Sequence, residues 1–172
     1  MGILSGKPNQ EPLHYGEIHG LWCYSMMKKA LISSNQTMLN HAGDEDLREL
    51  LKDSLHEAKG EAVEVDDILK ENGITPPPYL PEKPKADLES IPVGARFTDL
   101  EIAGALAAEA SGGLIECSKI MAMVIREDIG VLFEKYHTKK AAYGTRVLRM
   151  LKDKGWLIHP PLQIVTGNTE TK

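Results

Sequence analysis

The chain has 172 residues, enough to bury a core without disulfides or a structural metal. It is 42% hydrophobic and 26% charged with a net charge of −5, which excludes a disordered chain and the basic surface of a nucleic-acid binder. Aromatics make up only 5%, so strands, which draw on aromatic and β-branched residues, are disfavoured and an all-α class is expected.

At the amino terminus, "MGILSGKPNQEP" carries too short an apolar run for a signal peptide, and Gly6 stands where a myristoylation motif requires Ser or Thr. The expectation is cytoplasmic synthesis with no membrane span. The first helix is expected over about 14–41, where Ile18, Leu21, Trp22, Ser25, Ile32, Gln36 and Leu39 recur at helical spacing and Gly43 ends the run. Cys23 on this helix, like Cys117 later, sits in an apolar pattern without metal-type spacing and reads as a buried free thiol of a reducing compartment.

Asp44 is a good N-cap with Glu45 and Asp46 in the first turn, so a second helix is expected over about 44–72. Its apolar stripe is Leu47, Leu50, Leu51, Ala58, Val65 and Leu69, and Asn72 with Gly73 and Ile74 has the form of a left-handed C-cap. Residues 74–97 then hold six of the ten prolines, which remove backbone donors and force an extended connection.

"FTDLEI" restarts the helix. Thr98 and Glu101 form a capping box, with Phe97 and Ile102 placed for a hydrophobic staple, and the third helix runs to about residue 125. Its buried stripe is expected to be Leu106, Ala110, Leu114, Cys117, Met121 and Val124 or Ile125. The run of Ala, Gly and Ser from Ala103 to Gly113 asks for close packing, by a neighbouring helix or by a second copy of the chain in a homodimer. The fourth helix, about 128–154, turns Ile129, Leu132, Phe133, Tyr136, Tyr143, Val147, Leu148 and Leu151 inward and is capped by Gly155 and Trp156, followed by a frayed polar tail.

Connection lengths select the topology. The links between the first and second helices and between the third and fourth are short, so each pair is an antiparallel hairpin. The intervening extended segment can span roughly 70 Å and so return along the whole bundle. A single 1–172 domain results: a ferritin-like four-helix bundle with a Pro-rich crossover.

Glu134 and His137 are spaced as Glu-x-x-His, the way di-iron bundles present two ligands from one helix. A second such pair at the same depth is missing: Asp53 with His56 lies on the order of 10 Å away along the bundle axis. What approaches the depth of Glu134 and His137 is Glu17 or His19, Glu64 or Asp66, and Glu116. A site holding iron, manganese or zinc would therefore use Glu134, His137, Glu17 and Glu116, opposed by Lys140 one turn beyond His137. The simpler expectation is no cofactor, with His137 hydrogen-bonded to a carboxylate such as Glu17. His14, His19 and His159 are expected in solvent, and Asn40 with His41 is expected to take the carbonyls left open at the end of the first helix. No Ser or Cys stands in a nucleophile elbow or beside a base, so no catalytic residue is assigned.

The segments "HYGEIHGLWCYS", "QTMLNHAGDEDL", "LKENGITPPP", "ESIPVGARFTDLEIA", "IREDI", "YHTKKAAYG" and "DKGWLIHPPL" together resemble the spore coat protein F-like, ferritin-like family of bacilli over nearly the full length. The resemblance implies a non-enzymatic structural protein of sporulating cells, with the spore coat as location and other coat proteins as partners. It supplies no catalytic residues. The alternative it leaves open is a metal-binding ferritin-like protein with oxidase, peroxide-detoxifying or storage chemistry.

Overall fold

The structure is a computed structural model that describes residues 11–161 and 163. The expectations for the amino-terminal run before residue 11 and for the frayed tail lie largely outside those residues. Four helices carry the fold: α1 (Tyr15–His41), α2 (Glu45–Glu71), α3 (Asp99–Met123) and α4 (Glu127–Asp153), with two short 3-10 turns in the crossover at Leu88–Ser90 and Val93–Ala95. Among the described residues there is no strand, and no helix is long and apolar enough to cross a membrane.

The helix ends follow local chemistry. Asp44 caps α2 by accepting from the Leu47 amide, and Thr98 with Glu101 forms the expected capping box on α3. The α2 end is a Schellman turn: Gly73 has φ +74°, its amide bonds to Lys70 O, and Ile74 N reaches Leu69 O. Gly155, at φ +69°, ends α4 the same way, with Trp156 N on Leu151 O. His14 departs from expectation. Rather than standing in solvent it caps α1, its ring accepting from Gly16 N while Glu17 returns a bond to the His14 amide.

Long-range caps lock the hairpins together. The buried Glu17 carboxylate also accepts from Ile125 N at 2.8 Å and Arg126 N at 3.0 Å, so a side chain at the start of α1 caps the turn into α4. Asp99 at the start of α3 reciprocates by accepting from Gly43 N and Asp44 N at 2.8 and 3.1 Å, in the turn between α1 and α2. These bonds place the start of α1 at the end of α3 and the reverse, so α1 and α3 are antiparallel. Lys154 on Asp44 and Tyr136 on Glu64 do the same for α2 and α4. The two hairpins are thus joined with α2 and α3 parallel, as one long crossover requires.

The crossover runs along α1 and is tied to it by polar side chains. Trp22 donates to Thr75 O, Lys29 to Pro77 O and Asn40 to Pro84 O, while Gln36 and Asn40 accept from Lys83 N and Ala86 N. Asn40 is therefore occupied with the crossover, and His41 accepts from Phe97 N. The carbonyls they were expected to serve, Leu39 O and Ala42 O, are taken by Arg48 from the first turn of α2.

Two large apolar clusters, with a small third of Ile32, Ala58 and Ala62 between α1 and α2, form the core. One holds Leu21, Tyr24, Val65, Leu69, Cys117, Ile120, Ile129, Phe133 and Tyr136; the other, at the opposite end, holds Leu47, Leu50, Leu51, Ile102, Leu106, Val147, Met150 and Leu151. Leu148, expected inward, is exposed, and Met150 is buried in that turn instead; of the alternatives Val124 and Ile125, Val124 packs on the core and Ile125 faces out. The small residues of α3 divide between two faces. Gly113 and Ala110 admit Lys140 and Gly144 of α4, whereas Gly104, Ala108 and Gly112 face outward.

Candidate functional site

The four residues proposed from the sequence as metal ligands do not converge. Glu134 faces solvent and Glu116 pairs with Lys119 on its own helix. Glu17 is committed to three backbone amides beside Arg126, and from there His137 lies about eleven residues up α4, roughly 16 Å along the axis. The expected hydrogen bond between His137 and Glu17 is therefore not formed. His137 is half-buried and has no hydrogen-bond partner among the described residues. His19 is exposed and touches Cys23 Sγ, His56 is exposed, and Asp53 pairs with Arg146 at 2.6 Å.

Charge gathers instead between the two apolar clusters, on side chains that continue the apolar stripes of their helices. In α1 the stripe runs Leu21, Tyr24, Lys28; in α2, Ala58, Glu61, Val65; in α4, Phe133, Tyr136, Lys140, Tyr143, Val147. Glu61 receives Lys28 Nζ at 3.0 Å and Lys140 Nζ at 2.5 Å, one ammonium on each carboxylate oxygen. Tyr24 Oη donates to the same carboxylate at 2.8 Å. The rings of Tyr24 and Tyr136 lie under the two ammonium groups, at 5.0 and 5.7 Å from their centroids. Lys28 and Glu61 are only 4% and 3% exposed, so this is an ion triad within the core.

A second carboxylate stands beside the triad. Glu109 of α3 accepts from Ser54 Oγ at 2.6 Å, and Ser54 in turn accepts from Asn35 Nδ2, whose own Oδ1 is buried without a partner. Burial governs the proton affinities here. It pushes the Glu109 carboxyl up, more than the neighbouring Ser54, Lys28 and Lys140 pull it down. For Glu61 burial acts in the same direction, but the two ammonium groups outweigh it and hold the carboxyl below its usual range. Burial and the proximity of Lys28 lower the Lys140 ammonium, and burial next to Glu61 raises the Tyr24 phenol far above its normal value.

Over this group opens a cavity of about 370 Å³, lined by Lys28, Ser54, Glu61, Glu109, Lys140 and Tyr143, with Leu31, Ala58, Ala110 and Ala142 as apolar walls. Its rim is tied by Arg146 to Asp53 and Lys139 to Glu57, bonds that bridge α4 and α2. The architecture requires Gly113: a Cβ there would lie 2.8 Å from Lys140 Cδ, so the lysine stem passes where a side chain would stand.

The arrangement can hold protons and anions; it does not fit a two-metal centre. Such a centre needs carboxylates and histidines from all four helices at one depth. Among the described residues no group of three or more His, Cys, Asp or Glu lies close enough to share an ion. Glu61 already has an ammonium on each oxygen. The sequence signal for these residues was a charge at a stripe position, Lys28 four residues after Tyr24 and Glu61 three after Ala58, a place normally filled by apolar side chains.

A separate buried pair secures the crossover. Lys29 bonds both oxygens of Asp66 at 2.9 and 2.7 Å, Ser25 donates to the same carboxylate at 2.5 Å, and Tyr79 of the crossover covers the ammonium at 4.5 Å. Ser25 and Lys29 are thus positioning groups for the connection, not part of the cavity.

Known proteins share this architecture and sequence. An uncharacterised protein of Bacillus subtilis strain 168, YvdQ, is 52% identical over 164 residues, covering 95% of this chain and 96% of its own. A crystal structure from Bacillus halodurans C-125, described as a "putative spore coat protein", superposes with a TM-score of 0.90 at 40% identity, over 92% of this chain and 99% of that one. A conserved hypothetical protein of Mycobacterium tuberculosis shares the fold, with a TM-score of 0.66 at 16% identity over 86% of this chain and 96% of its own. Residues 1–168 match the family described as "Protein of unknown function (DUF3231)", and with relatives this close over nearly its whole length the chain belongs to that family.

Proposed function

We propose that the protein is a non-enzymatic helical component of the bacterial spore, assembled into its coat. The observation that carries this reading is the full-length likeness to the Bacillus halodurans protein, at 40% identity with the same four-helix architecture. The chemistry of the bundle centre supports it: the position that ferritin-like proteins give to metal-bridging carboxylates is held here by a carboxylate closed between two lysines. In this reading the bundle is a ferritin-like frame that has lost the need for a cation, its charge being balanced from within.

The protein self-associates as a homodimer in this proposal. Gly104, Ala108 and Gly112 face outward on α3 next to exposed Leu100 and Ile115, a surface where two helices could approach closely. Ala108→Arg tests it: the variant's mass in solution falls to that of a monomer if this face joins two copies, and stays unchanged if it does not.

The experiment for the functional proposal is fractionation of the organism that encodes the chain, with an antibody against it. The protein is expected in sporulating cells and in the coat extract of purified spores. Accumulation in vegetative cells with none in the spore overturns the assignment.

A further inference from the structure

The cavity over the ion triad has the features of a ligand site. Its volume of about 370 Å³ falls in the range of small-molecule pockets, and alanines at three positions on three helices keep it open. Each ammonium at its floor has three N–H donors, yet Lys140 makes one hydrogen-bonded ion pair and Lys28 one ion pair, both to Glu61, and neither has a second ion-paired carboxylate or a carbonyl partner among the described residues. Both ammonium groups pair with the single carboxylate of Glu61, and whenever Glu109 beside them is protonated one positive charge has no counterpart. A buried charge in that condition is costly, and an anion that supplies the missing partner is correspondingly favoured.

We propose that this cavity binds a small organic carboxylate with an apolar body, its head group on the Lys28 and Lys140 ammonium groups and its body against Leu31, Ala58, Ala110 and Ala142. One negative charge matches the single unbalanced cation. The alanine and leucine walls favour hydrocarbon over a second charged group, which sets the ligand apart from inorganic phosphate. Entry is between the Arg146–Asp53 and Lys139–Glu57 pairs, the only polar ties spanning the mouth among its lining residues.

Binding is coupled to a proton on Glu109. The groups facing that carboxyl are Lys28 from α1, Ser54 and Glu61 from α2, and Lys140 and Tyr143 from α4, with Asn35 behind Ser54. Burial raises the proton affinity of Glu109 and lowers that of Lys140, while the lysines hold the Glu61 carboxyl below its usual range. Affinity therefore rises as pH falls through the titration of Glu109, with uptake of a proton, and Glu109→Gln removes the uptake while retaining the site.

Isothermal titration with benzoate, hexanoate and inorganic phosphate tests this directly. Either acid is expected to bind the wild-type chain more tightly than phosphate, and at least tenfold more weakly to Lys140→Met, which keeps the stem and removes the charge. Ala142→Trp, at an exposed wall position where folding is not at stake, is expected to abolish binding by filling the mouth. No carboxylate binding to the wild type, binding unchanged in both variants, or phosphate bound as tightly as the acids would each overturn the proposal. Because the readout is binding, its failure leaves the coat assignment standing, and failure of the coat assignment leaves the site.

Discussion

The ends of the bundle and its waist are built on opposite principles. At each end Leu, Ile, Val and aromatic side chains close a cluster, and a carboxylate from one hairpin caps the turn of the other: Glu17 over Ile125 and Arg126, Asp99 over Gly43 and Asp44. At the waist the same helical stripes carry Lys28, Glu61 and Lys140, and packing gives way to a cavity. Burying apolar surface stabilises a fold at about 25 cal/mol per Å². A buried ion triad gains little over hydrophobic side chains of the same shape, because desolvation offsets the attraction. The ends hold the protein together; the waist is kept for something other than stability.

The waist is most sensitive at Glu61. Glu61→Ala strands two buried ammonium groups and the Tyr24 hydroxyl, and is expected to cost about 3–5 kcal/mol in urea unfolding. A loss below about 1 kcal/mol would mean that water already screens the triad. At the apolar ends, Leu51→Ala should cost about 3 kcal/mol by deleting a fully buried side chain, a cost that depends on cavity formation and not on pH.

Glu17 gives a smaller effect with a pH signature. Although burial works against its charge, three backbone amides hold its carboxyl below the ordinary range. A group with a depressed folded pKa stabilises the fold above its unfolded value, and that contribution is lost as pH falls through the folded one. Glu17→Gln should therefore cost about 2 kcal/mol at neutral pH and shrink toward no difference in acid, measured as urea midpoints across pH. A cost independent of pH would show that the carboxylate charge is not what the amides hold. Gly73→Ala, forcing a Cβ into φ +74°, should cost about 1 kcal/mol and leave benzoate binding untouched.

What the sequence revealed follows the range of each interaction. Helix starts at Asp44 and Thr98 and the turns at Gly73 and Gly155 are written in neighbouring residues, and they fall within a residue or two of expectation. The crossover was legible from its prolines, which only an extended connection tolerates. Glu17 was not legible as a cap for α4, because its partners lie over a hundred residues away and nothing local marks them. Arg48 likewise took the carbonyls assigned to Asn40 and His41, since a long guanidinium on the next helix reaches both at once.

The candidate site shows the same limit. Glu-x-x-His spacing drew attention to Glu134 and His137, but three residues of separation says only that both can share a helix face, not that the face is inward; Phe133 and Tyr136 own that face. Lys28, Glu61 and Lys140 carried the opposite signal, charges in register with apolar stripes. A lone charge in such a register usually snorkels to solvent. Three of complementary sign, on three helices, become a site only when the topology brings them to one depth.

The most direct test is the unfolding free energy of a variant in which the waist is made apolar: Tyr24→Phe, Lys28→Met, Glu61→Leu and Lys140→Met together, compared with wild type by urea denaturation. If the ends hold the fold, the variant is as stable as the wild type or more so, by up to about 4 kcal/mol. A loss of about 3 kcal/mol or more would show that the ionic waist is itself what holds the four helices together, and would contradict the account.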